Sequence, residues 1–149
     1  MNPQAVKDIT EGLSTLLADT YIVYLKTQNY HWNVTGPNFH SLHKMFEEQY
    51  LELANAVDEI AERIRALQAF APASFAQYLE LSNIKEETKV PSSNQMIKNL
   101  LNDHEIIIKH LAGLQPIAVD AGDEGTLDML ITRTEVHQKT AWMLRSSME

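Results

Sequence analysis

Histidine and carboxylate side chains at helical spacing are the part of this sequence able to do chemistry. His43 and Glu47 stand four residues apart, as do Asp58 and Glu62, so within a helix each pair shares a face and can converge on one ion. Between positions 47 and 58 a helix turns through about 1,100°, about 20° from a whole number of turns, which keeps both pairs on nearly the same side. They are still about 16 Å apart along the axis, too far for one chain to close around a single ion. Two chains can. The pairs 43/62 and 47/58 share a midpoint between residues 52 and 53. An antiparallel twofold crossing there brings His43 and Glu47 of one subunit against Glu62 and Asp58 of its mate, twice per dimer. Residues 31 and 43 are equidistant from Pro37, so a hairpin about that turn sets His31 beside His43. The expected centre therefore takes His31, His43 and Glu47 from one subunit and Asp58 and Glu62 from the other. Imidazole mixed with carboxylate suits Fe(II) passing to Fe(III) better than calcium or magnesium.

Each of these groups also has an ordinary explanation. Asp58 and Glu62 lie in a charged run from Asp58 to Arg65 that can form a solvated helix face, and a single histidine is more often structural than a ligand. The coincidence of the two pairings is what favours a metal centre.

Long helices must carry these residues. Apolar positions at Val6, Ile9, Leu13, Leu16, Leu17, Tyr21, Tyr24 and Leu25 recur at three and four, predicting a helix from about 4 to 32. Thr35-Gly36-Pro37-Asn38 breaks it, with Asn38 placed to cap a second helix of about 29 residues from Phe39. Residues 68–91 make a long connection with a short helix expected near Ser74–Leu79. A third long helix opens after Pro91-Ser92-Ser93 and is ended or kinked by Pro116. After a turn at Gly122–Thr126, a fourth spans about 127–145, with Leu130, Ile131, Ala141 and Leu144 inward. Four long helices with one long crossover predict an all-α, ferritin-like four-helix bundle, a single domain over 1–149. The usual intrachain di-iron site of such a bundle uses Glu-x-x-His on two helices, yet no Glu here has a His three residues later. A bound metal must lie elsewhere.

Composition narrows the chemistry further. Twelve Lys and Arg against 20 Asp and Glu give a net charge of -8, which disfavours unassisted binding to DNA or an anionic membrane and attracts cations. Cysteine is absent, excluding disulfides, thiolate nucleophiles and iron–sulfur clusters. No apolar run approaches the roughly 20 residues that span a bilayer, and the amino-terminal residues lack the pattern of a signal peptide, so a cytoplasmic protein is expected. His40, His104, His110 and His137 show no ligand pairing and read as structural or exposed. Trp32 is a candidate shield for the metal, although packing is the commoner role. Asp120, Asp123, Glu124 and Asp128 read as dipole partners of a helix start rather than a cation path.

The stretch Tyr30-His31-Trp32-Asn33-Val34-Thr35-Gly36-Pro37-Asn38-Phe39, followed by Leu42-His43, Phe46-Glu47-Glu48, Tyr50 and Asp58-Glu59-Ile60-Ala61-Glu62-Arg63, resembles the signature of the Dps family, the DNA-binding proteins from starved cells. The likeness covers almost the whole chain, including the closing His137–Leu144. It implies a homo-oligomeric hollow shell of twelve subunits. Ferroxidase sites would lie at the twofold interfaces, built from His31, His43, Glu47, Asp58 and Glu62. It implies oxidation of Fe(II), preferably by hydrogen peroxide, and storage of Fe(III) in the cavity, which protects the cell and its DNA. Position 47 is Glu where many members have Asp. The Lys- or Arg-rich tail of DNA-binding members has no counterpart here, since only Lys7 precedes Lys26 and Arg145 is the last cation. Direct DNA binding is therefore not expected. Two other functions compete with the peroxide-dependent ferroxidase: a nucleoid protein that coats DNA, and a shell holding zinc or another metal without redox turnover.

Overall fold

The computed structural model describes all 149 residues. Five helices follow in order: α1 Pro3–Asn33, α2 Phe39–Ala66, α3 Phe75–Leu81, α4 Ser93–Ala121 and α5 Glu124–Ser146. Helix α1 packs on α2 and on α4, α4 packs on α5, and the short α3 lies against α1. This is the four-helix, ferritin-like bundle with a short helix in the long crossover that the pattern of apolar residues predicts.

Local signals explain where the helices begin. Asn2 accepts a bond from the Ala5 amide and is followed by Pro3, whose missing N–H is harmless in a first turn. Ser74, Ser92 and Asp123 cap α3, α4 and α5 in the same way, through the amides of Gln77, Gln95 and Thr126. Asn38 departs from expectation. It precedes α2 but makes no capping bond: its backbone, at φ -103° and ψ 20°, lies outside the extended region of a cap, and its side-chain amide donates to Glu149 at the carboxyl end of the chain, 3.0 Å away.

The interior is apolar and continuous: Leu13, Leu16 and Val23 of α1, Phe46 and Ile60 of α2, and Leu100 and Ile107 of α4 are fully buried. A Cβ at Gly12 would collide with Leu114, so that glycine sets the close approach of α1 to α4. Two further expectations change. Pro116 does not end α4, which continues to Ala121 with Leu114 and Ala118 buried on either side; packing of those residues outweighs the hydrogen bond the proline removes. Gly122, in the left-handed region at φ +71°, is the true stop, so α5 begins at Glu124, three residues earlier than the turn residues suggest. On α5, Ile131 is exposed rather than inward, while Leu130, Ala141 and Leu144 are buried. No helix is long and apolar enough to cross a membrane.

Candidate metal centre

The α1–α2 hairpin does bring His31 and His43 together. Their rings stack with centroids 3.9 Å apart and planes 11° from parallel. The Nδ1–H of His31 donates to the His43 carbonyl, and the Nδ1–H of His43 donates to the His31 carbonyl, each at 2.7 Å. A carbonyl can only accept, so both rings carry their proton on Nδ1 and leave the Nε2 lone pair free for a cation. The His31 carbonyl belongs to the last turn of α1, where no intrahelical donor is available, so one bond both orients a ring and closes a helix end.

Two aromatic rings fix the pair from outside. Phe39 stacks on His43 at 5.0 Å, and Tyr50 meets His31 edge to face at 5.2 Å. Trp32, a candidate shield for which packing is the commoner role, touches neither histidine ring and has 61% of its surface exposed. Phe39 and Tyr50 were not marked by spacing in the sequence, although both lie on the α2 face that carries His43. Glu47 follows one turn after His43, half-buried and in no ion pair within the chain.

Asp58 and Glu62 form the second cluster, and both are exposed. They face each other closely enough that the Asp58 carboxylate, by hydrogen bond and by charge, raises the Glu62 carboxyl above its ordinary value. Two carboxylates held together in this way repel unless a proton or a cation lies between them. The two clusters stay apart: no three His, Asp or Glu side chains in one chain converge closely enough to hold an ion. Between them, the same face of α2 presents Leu51, 53% exposed, and the half-buried Tyr50 and Ala54.

The other candidates are either structural or exposed. Asp123 is buried, caps α5 and pairs with Arg63 at 2.7 Å, while Asp120, Glu124 and Asp128 are exposed. The Thr126 hydroxyl and amide and the Arg63 guanidinium hold the Asp123 carboxyl below its usual range in spite of its burial. His110 donates through Nε2 to the Gly12 carbonyl, and His40 is exposed. His104 and His137 are buried against one another, Nδ1 to Nδ1, at 2.8 Å.

The family model of the ferritin-like domain matches residues 10–149. The chain is 38% identical over 140 residues to DNA protection during starvation protein 2 of Bacillus anthracis, covering 94% of this chain and 96% of that one. It is 43% identical over 135 residues to an uncharacterized low temperature-induced protein of Nostoc, covering 89% of this chain and 75% of the relative. Among solved structures it superposes on a Dps protein from Bacillus brevis with a TM-score of 0.94 at 34% identity, covering 98% of both chains. It superposes equally, at a TM-score of 0.94 and 32% identity over 98% of this chain and 92% of the other, on the Dps protein of Vibrio cholerae O1, described as one of the ferritin-like diiron-carboxylate proteins. By sequence and by fold, the chain belongs to the ferritin-like family and, within it, to the Dps proteins.

Proposed function

We propose that this chain is the subunit of an iron-sequestering ferroxidase, a single Dps-type domain over residues 1–149 that works in the cytoplasm as a dodecameric shell. Its site is shared across a twofold axis: His31, His43 and Glu47 from one subunit, Asp58 and Glu62 from its mate. The observation that carries this reading is the reciprocal pair of Nδ1 bonds between His31 and His43, which turns two Nε2 lone pairs into ready ligands. Hydrogen bonding of the distal ring nitrogen to an acceptor is the usual device for fixing a metal-binding imidazole. The α2 face supports the shared site, since half-sites lie at its two ends and exposed Leu51 lies near the midpoint, where a second copy would cover it.

Iron is the substrate. Imidazole nitrogens suit Fe(II), and the hard oxygens of Glu47, Asp58 and Glu62 favour the added charge of Fe(III), so the mixed ligand set draws the metal toward oxidation. Two Fe(II) ions give up one electron each. Hydrogen peroxide takes both, its O–O bond breaks, and with two protons it leaves as two waters. No hydroxyl radical is released, and this is how such a protein protects DNA without touching it. The net charge of -8 works against DNA coating. The Bacillus anthracis relative is named for DNA protection, which this chemistry provides at a distance.

The test is anaerobic loading with Fe(II) followed by a substoichiometric pulse of peroxide. Fast oxidation is expected, and the combined Asp58→Ala and Glu62→Ala variant is expected to lose the fast phase. Unchanged kinetics in that variant would overturn the site. A zinc-holding shell without turnover would show no oxidation at all.

A further inference from the structure

Four of the five tyrosines form one unbroken run of ring contacts that begins at the proposed metal centre. Tyr50 meets His31 in a T-shaped contact with centroids 5.2 Å apart. Tyr24 meets Tyr50 at 6.1 Å, Tyr21 meets Tyr24 at 5.7 Å, and Tyr21 stacks on Tyr78 at 4.9 Å. The order 50, 24, 21, 78 passes from α2 along α1 to α3. All four separations fall in the contact range of aromatic pairs. The far end lines a groove of about 420 Å³ between α1 and α3, walled also by Leu25, Phe75 and Leu79.

Packing alone does not need four phenols. Phe75 fills a position beside this run without a hydroxyl, touching the same Tyr21 at 6.2 Å. A phenol differs from a phenyl ring chiefly in its O–H, which allows it to give up one electron and one proton. Tyr50, Tyr24 and Tyr21 are half-buried, so protons released on oxidation have water within reach.

We infer that Tyr50, Tyr24, Tyr21 and Tyr78 form an electron relay that supplies the metal centre when it holds a single Fe(II). The relay rests on the ferroxidase reading above. Hydrogen peroxide needs two electrons to become two waters. One Fe(II) supplies only one, and the remainder would be hydroxide and a hydroxyl radical. With Tyr50 giving the second electron, the balanced step is Fe(II), H2O2, one tyrosine and one proton going to Fe(III), one tyrosyl radical and two waters. The vacancy then moves outward as Tyr24 reduces Tyr50, Tyr21 reduces Tyr24 and Tyr78 reduces Tyr21. At each step the ring being reduced takes back a proton and the ring being oxidised releases one. Tunnelling falls off exponentially with the gap, which is why rings in contact carry it. A soluble one-electron reductant such as ascorbate, reaching the groove, restores the last tyrosine with one electron and one proton.

The experiment uses the assembled protein, loaded with one Fe(II) per centre, mixed with peroxide and freeze-quenched for electron paramagnetic resonance. Tyrosyl radical is expected in the native chain. Tyr50→Phe keeps the ring packed and is expected to lose that signal and gain hydroxyl-radical spin adducts. Tyr24→Phe is expected to confine oxidised product to Tyr50, read by peptide mass spectrometry, whereas the native chain accumulates it at Tyr21 and Tyr78. The rate of Fe(II) oxidation is followed in the same mixtures. Fast oxidation with no tyrosyl signal, or a signal and product map unmoved by Tyr50→Phe and Tyr24→Phe, overturns the relay and leaves the ferroxidase standing. Absence of Fe(II) oxidation overturns the ferroxidase reading and the relay with it.

Discussion

His31 and His43 hold each other by matched bonds, each Nδ1 lying 2.7 Å from the other residue's carbonyl oxygen, so neither ring can turn without breaking its own bond to the other residue. Replacing one therefore does two separable things. His43→Ala removes one ligand and one hydrogen bond, while the bond from His31 to the residue 43 carbonyl survives. Stability is expected to fall by about 1 kcal/mol, the usual net worth of one such bond. Fe(II) affinity is expected to fall by at least roughly tenfold, since losing even an outer partner of a metal ligand has that effect. Anaerobic titration with Fe(II) and chemical denaturation of the same sample measure the two.

A shared centre makes a prediction that an intrachain centre cannot. Take one subunit type carrying His31→Ala and His43→Ala, and a second carrying Asp58→Ala and Glu62→Ala. Either alone should assemble without fast oxidation. Co-expressed in equal amounts, half of the dimers are mixed, and each mixed dimer has one centre with both halves intact. About a quarter of the native fast phase should return, which follows from the twofold arrangement alone. Shells mixed after separate assembly should recover none. Recovery absent from the co-expressed shells would show that ligands come from one chain.

The hairpin pairing was legible because it is local. Equal arms on either side of Pro37 fix which residues meet, and periodic apolar positions fix which side of α1 and α2 turns inward. The i, i+4 carboxylates were legible for the same reason. What stayed hidden depends on contacts distant in sequence. Asn38 has the residue type of a cap, yet its backbone is not extended and its side-chain amide donates to Glu149, 111 positions away. Pro116 reads as a stop or a kink, and it is not a stop, because its lost bond is local while the packing that outweighs it is not. His104 and His137 are 33 residues apart on different helices, and nothing in their spacing brings them together.

The crossover before α4 is held down by buried polar groups, and Lys26 is central among them. It pairs with Asp103 and donates to the Lys85 carbonyl, at 2.7 Å and 2.8 Å. Burial pushes the Asp103 carboxyl up to about 6, although the Lys26 ammonium holds it down. Because this value lies above that of the unfolded chain, the contribution of Asp103 is full below pH 3.8 and is lost as pH rises through about 6. Asp103→Asn is expected to remove that slope, up to about 3 kcal/mol across the window. Lys26→Met leaves the carboxylate without its cation and is expected to cost about 3–5 kcal/mol at pH 7. Denaturant melts of both variants at pH 4 and pH 7 measure the effects. A native-like slope in Asp103→Asn would assign it to other groups.

The buried histidine pair works in the opposite direction. Arg133 pairs with Glu52 at 2.6 Å and donates to His137 Nε2 at 3.0 Å. A guanidinium only donates, so His137 accepts at Nε2 and carries its proton on Nδ1, which donates to His104 Nδ1. His104 is left with its proton on Nε2, buried and without a partner in the protein. Neither ring can accept a second proton cheaply. Burial, with the Arg133 charge added, pushes His104 down to about 3, and burial, His104 and Arg133 push His137 down as well. Folded values below those of the unfolded chain mean that stability is full above pH 6.5 and is lost on acidification toward about 3. Each histidine adds up to about 1.4 kcal/mol per pH unit to that loss. His104→Leu is expected to cost about 1–3 kcal/mol at pH 7, because the His137 donor loses its acceptor, yet to soften the slope below pH 6. A variant that is weaker at neutral pH but less sensitive to acid is the outcome that assigns the slope to this pair; a parallel downward shift at every pH would assign the slope elsewhere.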